Sequence, residues 1–189
     1  MVRFQTMTVQ EYKARHADFQ ITYAFHPTPL WDSPLLLGII STDKAIVFLG
    51  FAGKGNEEAV ARLKKHWPLS ELTEDVANDT VEIMKRILSV RVGADDSLVV
   101  LMKGTEFELE VWTALFSISE GSTCTYEEVA RKVGRPKAAR AVGNAVKKNS
   151  IAYLVPCHRV VGKSGSNKYF WGTECKETVM AYERKFLDL

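Results

Sequence analysis

The chain of 189 residues has only three cysteines, Cys124, Cys157 and Cys175, and no two of them form a C-x-x-C pair. That excludes a disulfide framework and the usual zinc spacings. Its four histidines are scattered; His16, His26 and His66 have no cysteine near them and read as surface or core residues. No apolar run approaches the about 20 residues of a membrane span. The start, Met1-Val2-Arg3-Phe4-Gln5, lacks the apolar stretch of a signal peptide. These absences predict a reduced, intracellular protein without a metal. Acid is also missing locally. Between Glu128 and Glu174 there is no Asp or Glu, while ten bases occur there: Arg131, Lys132, Arg135, Lys137, Arg140, Lys147, Lys148, Arg159, Lys163 and Lys168. A charge run is most often a solvated face. This one surrounds Cys157, which points instead to a polyanionic substrate.

What is present divides the chain. Residues 1 to 103 carry 12 Lys/Arg against 13 Asp/Glu, whereas residues 104 to 189 carry 13 against 10. The expected organisation is an α/β unit over 1–102 and a mainly helical unit over 103–189. In the first, Ile21 to Phe25 reads as a strand. Leu35 to Ile40 and Ala45 to Leu49 read as a hairpin joined by Ser41-Thr42-Asp43-Lys44. Asn56 opens a helix with Ala59, Val60, Leu63 and Trp67 at helical spacing. A second helix is predicted over Asp79–Ile87, and Leu98 to Met102 as a further strand.

In the second unit, Thr105-Glu106-Phe107-Glu108 is a capping box, followed by Phe107, Val111, Trp112 and Leu115 on one helical face. Trp112 therefore reads as core. Thr125-Tyr126-Glu127-Glu128 is another box, opening a short helix that Gly134 ends. Pro136 suits the first turn of a second helix, Ala138 to Lys148. Two short helices around a glycine turn have the pattern of a helix-turn-helix. Ala138, Ala139, Ala141, Gly143 and Ala145 would let that second helix lie close to a surface. Arg140 among them could fill the space left by an extruded base.

The chemistry centres on Val155-Pro156-Cys157-His158-Arg159-Val160-Val161. A thiol attacks only as thiolate, and neighbouring His and Arg make Cys157 the candidate nucleophile, with a lowered pKa expected. In an extended segment Cys157 and His158 would point to opposite sides, so proton transfer through a water is the predicted geometry. A carboxylate orienting His158 would complete the set, with Glu174, Glu177 and Glu183 as candidates. Val179, Met180, Phe186 and Leu187 would pack the last helix on the body.

In order, Gly104-Thr105, Val111-Trp112, Tyr126-Glu127-Glu128-Val129-Ala130, Arg140-Ala141-Val142-Gly143, Asn149 and Pro156-Cys157-His158-Arg159-Val160-Val161 resemble the O6-alkylguanine-DNA alkyltransferases. The likeness is densest over residues 98 to 187 and strongest toward the carboxy-terminal domain of the bacterial adaptive-response protein. It implies a small antiparallel sheet with helices, ribonuclease-H-like, followed by a winged-helix-like domain with a helix-turn-helix. It also implies irreversible transfer of an alkyl group from O6-alkylguanine, and from O4-alkylthymine, in duplex DNA to Cys157. That would be a single-turnover reaction without cofactor, by a monomer in the cytoplasm, at the nucleoid of a bacterium or in the nucleus of a eukaryote.

By the same resemblance His158 is the water-mediated base, Glu183 its orienting carboxylate, Tyr126 the donor to the ring nitrogen and Asn149 the brace of the active-site turn. Val146 packs on the base. The Val160 carbonyl and the Phe170 N–H bind its edge, with Tyr169 and Trp171 beside them. Arg140, Ala138, Ala139, Thr125, Arg135, Lys147 and Arg159 are implied to contact DNA. The chain departs from the pattern in the loop Ser166-Asn167-Lys168-Tyr169-Phe170-Trp171-Gly172. Trp171 stands where many relatives have glycine, and is expected to narrow the pocket and disfavour benzyl groups. Ser150 replaces a proline. The competing readings are a lesion-recognition protein that does not react, a cysteine hydrolase and a helix-turn-helix regulator.

Overall fold

The computed structural model describes residues 2–28, 31–53, 55–89, 98–163 and 169–185. The expectations for Ser166, Asn167 and Lys168, and for Phe186 and Leu187, fall outside those residues. The chain forms two compact units, residues 1–103 and 104–189.

The first unit is built on a six-stranded sheet. Its strands are β1 (Arg3–Thr8), β2 (Ile21–Thr28), β3 (Trp31–Ile40), β4 (Ile46–Phe51), β5 (Leu72–Glu74) and β6 (Val99–Gly104), in the order β1-β6-β4-β3-β2-β5. β4 is buried along its whole length, and β3 from Leu35 to Ile40. Their continuous apolar runs therefore fill the middle of the sheet, where both faces are covered. The predicted hairpin pairs Leu35 with Phe51 and Leu37 with Leu49.

The sheet is mixed rather than antiparallel. β5 runs parallel to β2 and β6 parallel to β4. A parallel return needs a long crossover, and the helices α2 (Asn56–His66) and α3 (Asp79–Ser89) lie in the connections leading to β5 and β6. The expected helices over 56–67 and 79–87 are thus present, but they carry strands of the opposite polarity to a hairpin. α1 (Val9–Arg15) was not expected, although Thr8 and Glu11 form a complete capping box at its start.

Trp67 closes the core with its indole edge against Tyr12, 5.1 Å away, and its N–H donating to the Val47 carbonyl. Lys103 lays its ammonium over both rings, 3.9 Å from Tyr12 and 4.7 Å from Trp67, and donates to the His66 carbonyl. His26 is buried and bonds Thr80 Oγ1 at 2.9 Å, and Thr80 in turn donates to Asp75. It is a core histidine, whose burial lowers its pKa.

In the second unit, α4 (Glu106–Leu115), α5 (Tyr126–Lys132) and α6 (Ala139–Lys147) pack on one another. Both predicted capping boxes are made, by Thr105 with Glu108 and by Thr125 with Glu128. The core face of α4 is as read, and Trp112 donates its indole N–H to the Ala145 carbonyl at 2.9 Å, pinning α4 to α6. Gly104 makes room for that indole: a Cβ there would lie 2.8 Å from the Trp112 ring. Gly134 has φ +71°, which suits glycine after the end of α5.

Pro136 sits one turn earlier than expected. The Ala138 N–H bonds the Arg135 carbonyl at 2.9 Å, so Pro136 occupies the second position of a β-turn that precedes α6. Beyond α6 come a 3-10 turn (Cys157–Arg159), the short strand β8 (Val160–Val161) and α7 (Thr173–Lys185). β8 pairs in parallel with β7 (Cys124–Thr125), placing Cys124 opposite Val160 and Thr125 opposite Val161. This two-residue ladder ties the start of α5 to the residues that follow Cys157.

Candidate active site

The stretch from Asn149 to Cys157 is wound tightly. The Leu154 N–H bonds the Ala152 carbonyl at 2.7 Å across Tyr153, whose φ is +66°. The Cys157 N–H does the same to the Val155 carbonyl across Pro156. These are two γ-turns, the first with the rarer sign. Buried Asn149 holds them together. Its amide N–H groups donate to the Ile151 and Val155 carbonyls at 3.1 and 3.4 Å and to Cys157 Sγ at 3.0 Å, and its oxygen accepts the Ile151 N–H.

Cys157 is only 2% exposed. Burial pushes its thiol up, and hydrogen bonds from Tyr169 and Asn149 together with the charge of Lys176 offset that only in part. Burial thus works against the lowered pKa expected for this thiol, and the donors around it work toward it. His158 is also not across an extended strand from Cys157, because both lie on the 3-10 turn. No hydrogen bond joins the two side chains. His158 Nε2 instead lies 2.7 Å from Glu183 Oε1, while Nδ1 is buried with no hydrogen-bonding partner among the described residues. A carboxylate accepts only, so Nε2 carries the proton and Nδ1 presents its lone pair. Burial lowers the His158 pKa, against the pull of Glu183.

Of the three carboxylates left open, Glu183 is the buried one; Glu174 and Glu177 are exposed. Glu183 also takes Arg159, whose Nε and Nη2 reach its oxygens at 3.1 and 2.7 Å, and the Gly121 N–H at 3.2 Å. Burial alone would raise its pKa, but His158 and Arg159 hold it down to about 2. Arg159, expected on the DNA surface, is thus buried, and its Nη1 donates to the Ile118 carbonyl at 2.6 Å. Among its described residues the acid-free stretch contains one internal base, neutralised by a carboxylate from α7.

A pocket of about 440 Å³ opens over the sulfur, lined by Tyr126, Gly143, Val146, Lys147, Cys157, Tyr169, Phe170, Gly172 and Thr173. Tyr126 lies beneath α6 at the one point where the helix has no side chain: a Cβ on Gly143 would sit 3.8 Å from the Tyr126 ring. Burial, and then the Cys157 charge, raise the Tyr126 phenol. The Tyr169 hydroxyl is 3.3 Å from Cys157 Sγ. Trp171 was expected at the pocket rim, yet it is buried and absent from the lining. Phe170 stands there instead, 43% exposed and edge-on to the Trp171 ring. The expectation that it narrows the pocket loses its basis.

The Val160 carbonyl, expected to bind substrate, accepts from Lys176 Nζ at 2.8 Å, which leaves one lone pair. Lys176 is fully buried, and the sequence reading gave it no role of its own. A signal existed: Lys176, Val179, Met180 and Glu183 share one helical face, so a lysine lies on an apolar stripe.

Outside the pocket, α6 turns Val142, Ala145 and Val146 inward and leaves Arg140, Ala141, Asn144 and Lys147 exposed. Ala138 caps the helix and Ala139 opens it. No carboxylate pairs with Arg140 among the described residues. Arg135 is engaged already, 3.0 Å from Glu110 and over the Phe107 ring. The Thr125 hydroxyl serves its helix cap. Cys124 is buried on β7 and Cys175 is partly exposed on α7. No three His, Cys, Asp or Glu side chains among the described residues converge as metal ligands would, and no described helix is long and apolar enough to cross a membrane.

A buried thiol opening into a pocket, His158 on the same turn bonded to Glu183 of α7, and the exposed bases Arg140 and Lys147 on α6 together make the arrangement expected of a cysteine-nucleophile protein. Comparison with known proteins makes the class specific. Residues 106–185 match the family model of the 6-O-methylguanine DNA methyltransferase, DNA binding domain. The inducible methylated-DNA–protein-cysteine methyltransferase of Bacillus subtilis is 38% identical over 151 residues, covering 78% of this chain and 83% of that protein. The methylated-DNA–protein-cysteine methyltransferase of Methanosarcina acetivorans is 49% identical over 82 residues, 43% of this chain and about half, 53%, of its own length. Among solved structures, Mycobacterium tuberculosis OGT in complex with DNA superposes with a TM-score of 0.66 at 30% identity, covering 87% of this chain and 93% of that one. The chain belongs to the methylated-DNA–protein-cysteine methyltransferase family.

Proposed function

We propose that the chain repairs DNA by moving the alkyl group of O6-alkylguanine onto Cys157, once per molecule. The observation that carries this reading is the sulfur itself, held by Asn149 and Tyr169 at the wall of a pocket roofed by α6. In this reaction a sulfur–carbon bond forms as the carbon–oxygen bond breaks, and the electron pair stays on the purine. The proton that leaves the thiol ends on the guanine, so the chemistry balances without a cofactor. Tyr126, a phenol at the pocket wall, delivers a proton toward the purine ring. His158 takes the thiol proton through a water at Nδ1, and Glu183 keeps Nε2 protonated so that Nδ1 is free to accept.

The pair α5 and α6 acts as a helix-turn-helix on the minor groove, with Arg140 replacing the extruded nucleotide and Lys147 near the backbone. Arg140 is suited to this by its exposure in the first turn of α6 and by the small residues around it. Val146 packs on the base, and Tyr169 and Phe170 border it. Residues 1–103 form a ribonuclease-H-like domain and residues 104–189 a winged-helix-like, DNA-binding and alkyl-accepting one. The support is the antiparallel β2-β3-β4 core flanked by parallel strands in the first, and the helical cluster with its short ladder in the second.

Incubation with duplex DNA carrying O6-methylguanine, followed by peptide mass analysis, tests the reading. A gain of one methylene unit on the Cys157 peptide is expected, and Cys157→Ser should bind the duplex without it. Binding by the native chain with no adduct would replace transfer by lesion recognition. Hydrolysis of esters or peptides would replace it by a cysteine hydrolase.

A further inference from the structure

Among the described residues two side chains hydrogen-bond Cys157 Sγ, and they differ in kind. Asn149 Nδ2, at 3.0 Å, can only donate, and its other bonds to Ile151 and Val155 hold it in place whatever the sulfur does. The Tyr169 hydroxyl, at 3.3 Å, can give or receive a proton. Toward a neutral thiol both directions are open. Toward a thiolate only one remains, because the sulfur then has nothing to donate. Tyr169 also lines the pocket that Cys157 lines, so the residue that touches the sulfur borders the space open to a substrate.

We infer that the Tyr169 hydroxyl is a catalytic group of the transfer reaction, the donor that holds the attacking sulfur of Cys157 as an anion. The inference rests on Cys157 being the alkyl acceptor. It gives Tyr169 a role toward the sulfur, distinct from bordering the base. The phenol stays protonated over the working range, since burial and the nearby Cys157 charge raise its pKa well above the ordinary value. The other polar groups around the sulfur are fixed. Lys176 on α7 is bound to the Val160 carbonyl, Tyr126 on α5 faces the pocket, and His158 is tied to Glu183 through Nε2. Tyr169 is therefore the donor that can be removed while the rest remain. As the sulfur–carbon bond forms, the sulfur loses its charge and becomes a weak thioether acceptor. The phenol's hydrogen bond is thus strong before transfer and weak after it.

The consequence is a particular pH dependence. Losing a donor to a charged group should raise the Cys157 thiolate pKa by about one unit. A thiolate of higher pKa is also the better nucleophile, with a Brønsted slope of about 0.4–0.5. Well below the pKa, Tyr169→Phe should therefore react about threefold slower than the native chain, the roughly tenfold loss of thiolate being partly offset. Well above it, the variant should react about threefold faster. The two rate profiles cross.

The experiment measures alkylation of the Cys157 peptide against pH, using iodoacetamide on the full chain and its Tyr169→Phe variant, with mass analysis separating Cys124 and Cys175. Crossing profiles with an upward shift are expected. Parallel profiles, or a uniform slowing at every pH, would overturn the inference and leave Tyr169 a packing residue. A ring-fluorinated tyrosine in place of Tyr169, a stronger donor that keeps the ring, should shift the thiolate pKa downward; no shift overturns the inference even if Tyr169→Phe folds poorly. The same proteins are then given O6-methylguanine duplex. Absence of an adduct on the native chain there would sink the repair reading, while the iodoacetamide profiles decide the role of Tyr169 independently.

Discussion

Replacing Glu183 by glutamine removes one charge from a place where it faces four N–H donors. The carboxylate accepts His158 Nε2 at 2.7 Å, Arg159 Nη2 at 2.7 Å and Nε at 3.1 Å, and the Gly121 N–H at 3.2 Å. A glutamine of the same shape offers one oxygen, and its amide hydrogens then oppose either the guanidinium or the Gly121 N–H. The buried Arg159 cation keeps the Ile118 carbonyl, and Glu120 stands 4.0 Å away. Breaking a buried pair from one side costs about 3–5 kcal/mol, and Glu120 should keep this case near the lower end. The depressed carboxyl points to the same size. A carboxyl held at about 2 instead of 4.5 corresponds to roughly 3 kcal/mol.

Hydrogen exchange of peptides from α4 and α6 reads the opening free energy of this unit by itself. Glu174→Gln and Glu177→Gln, both exposed, should stay within about 0.5 kcal/mol of the native chain, and Glu183→Gln should fall about 3 kcal/mol below them. Adding Arg159→Met to Glu183→Gln should recover part of the loss, because it removes the orphaned cation. If Glu183→Gln matches the exposed controls, or if the double variant is the sum of its parts, then Glu183 does not neutralise Arg159.

Three further outcomes follow from the same geometry. Acid should destabilise residues 104–189 in two overlapping ranges. Burial depresses the His158 pKa, so its contribution is lost as pH falls below the unfolded value of about 6.5. The folded Glu183 pKa is also depressed, and its contribution, present above about 4.5, disappears as pH falls through about 2; urea midpoints between pH 8 and 2, as an approximate range, should be flat and then fall, and a rise on acidification contradicts both assignments. Asn149→Ala should cost about 3 kcal/mol by stripping the γ-turns of their shared donor and acceptor, and Asn149→Asp should do no better because it cannot donate to two carbonyls, as thermal unfolding would report. Arg140→Ala should leave stability within about 0.5 kcal/mol yet lower the salt slope of duplex binding by about one, measured by titration at several salt concentrations.

The parts of the fold that the amino-acid order made legible are those governed by neighbours in the chain. Thr105 with Glu108 and Thr125 with Glu128 announce their helices because a capping box is complete within four residues. The β3–β4 hairpin was legible for the same reason. The box at Thr8 and Glu11 carried an equal signal for α1, but Val9–Arg15 has only Tyr12 buried, and without an apolar stripe the helix went unread. The parallel partners β5 and β6 depend on crossovers, and β5 is three residues long with little buried surface, so no local pattern marks it. Trp171 was expected at the pocket rim and Phe170 only through its backbone N–H, whereas Phe170 is the exposed ring and Trp171 the buried one; which of two adjacent loop residues turns inward is set by tertiary packing that no local pattern marks.

Arg159 and Lys176 failed for a deeper reason. Counting charges along the chain assumes that each is solvated, and ten bases without an acid then read as one surface. Whether a particular base is internal depends on a carboxylate or carbonyl that reaches it from elsewhere in the fold. For Arg159 the partner is Glu183, 24 residues on, and for Lys176 it is the Val160 carbonyl, 16 residues back. Both partnerships converge on α7, where Lys176, Val179, Met180 and Glu183 line the buried face. Burying charges there costs desolvation that apolar residues would avoid. The placement is explained by what the charges do nearby: Glu183 fixes the tautomer of His158, and Lys176 lowers the pKa of the Cys157 thiol while binding the carbonyl at the pocket edge. α7 therefore acts less as a packing element than as the electrostatic backing of the sulfur, and charged positions on its apolar stripe are where the chain departs from the pattern that stability alone would select.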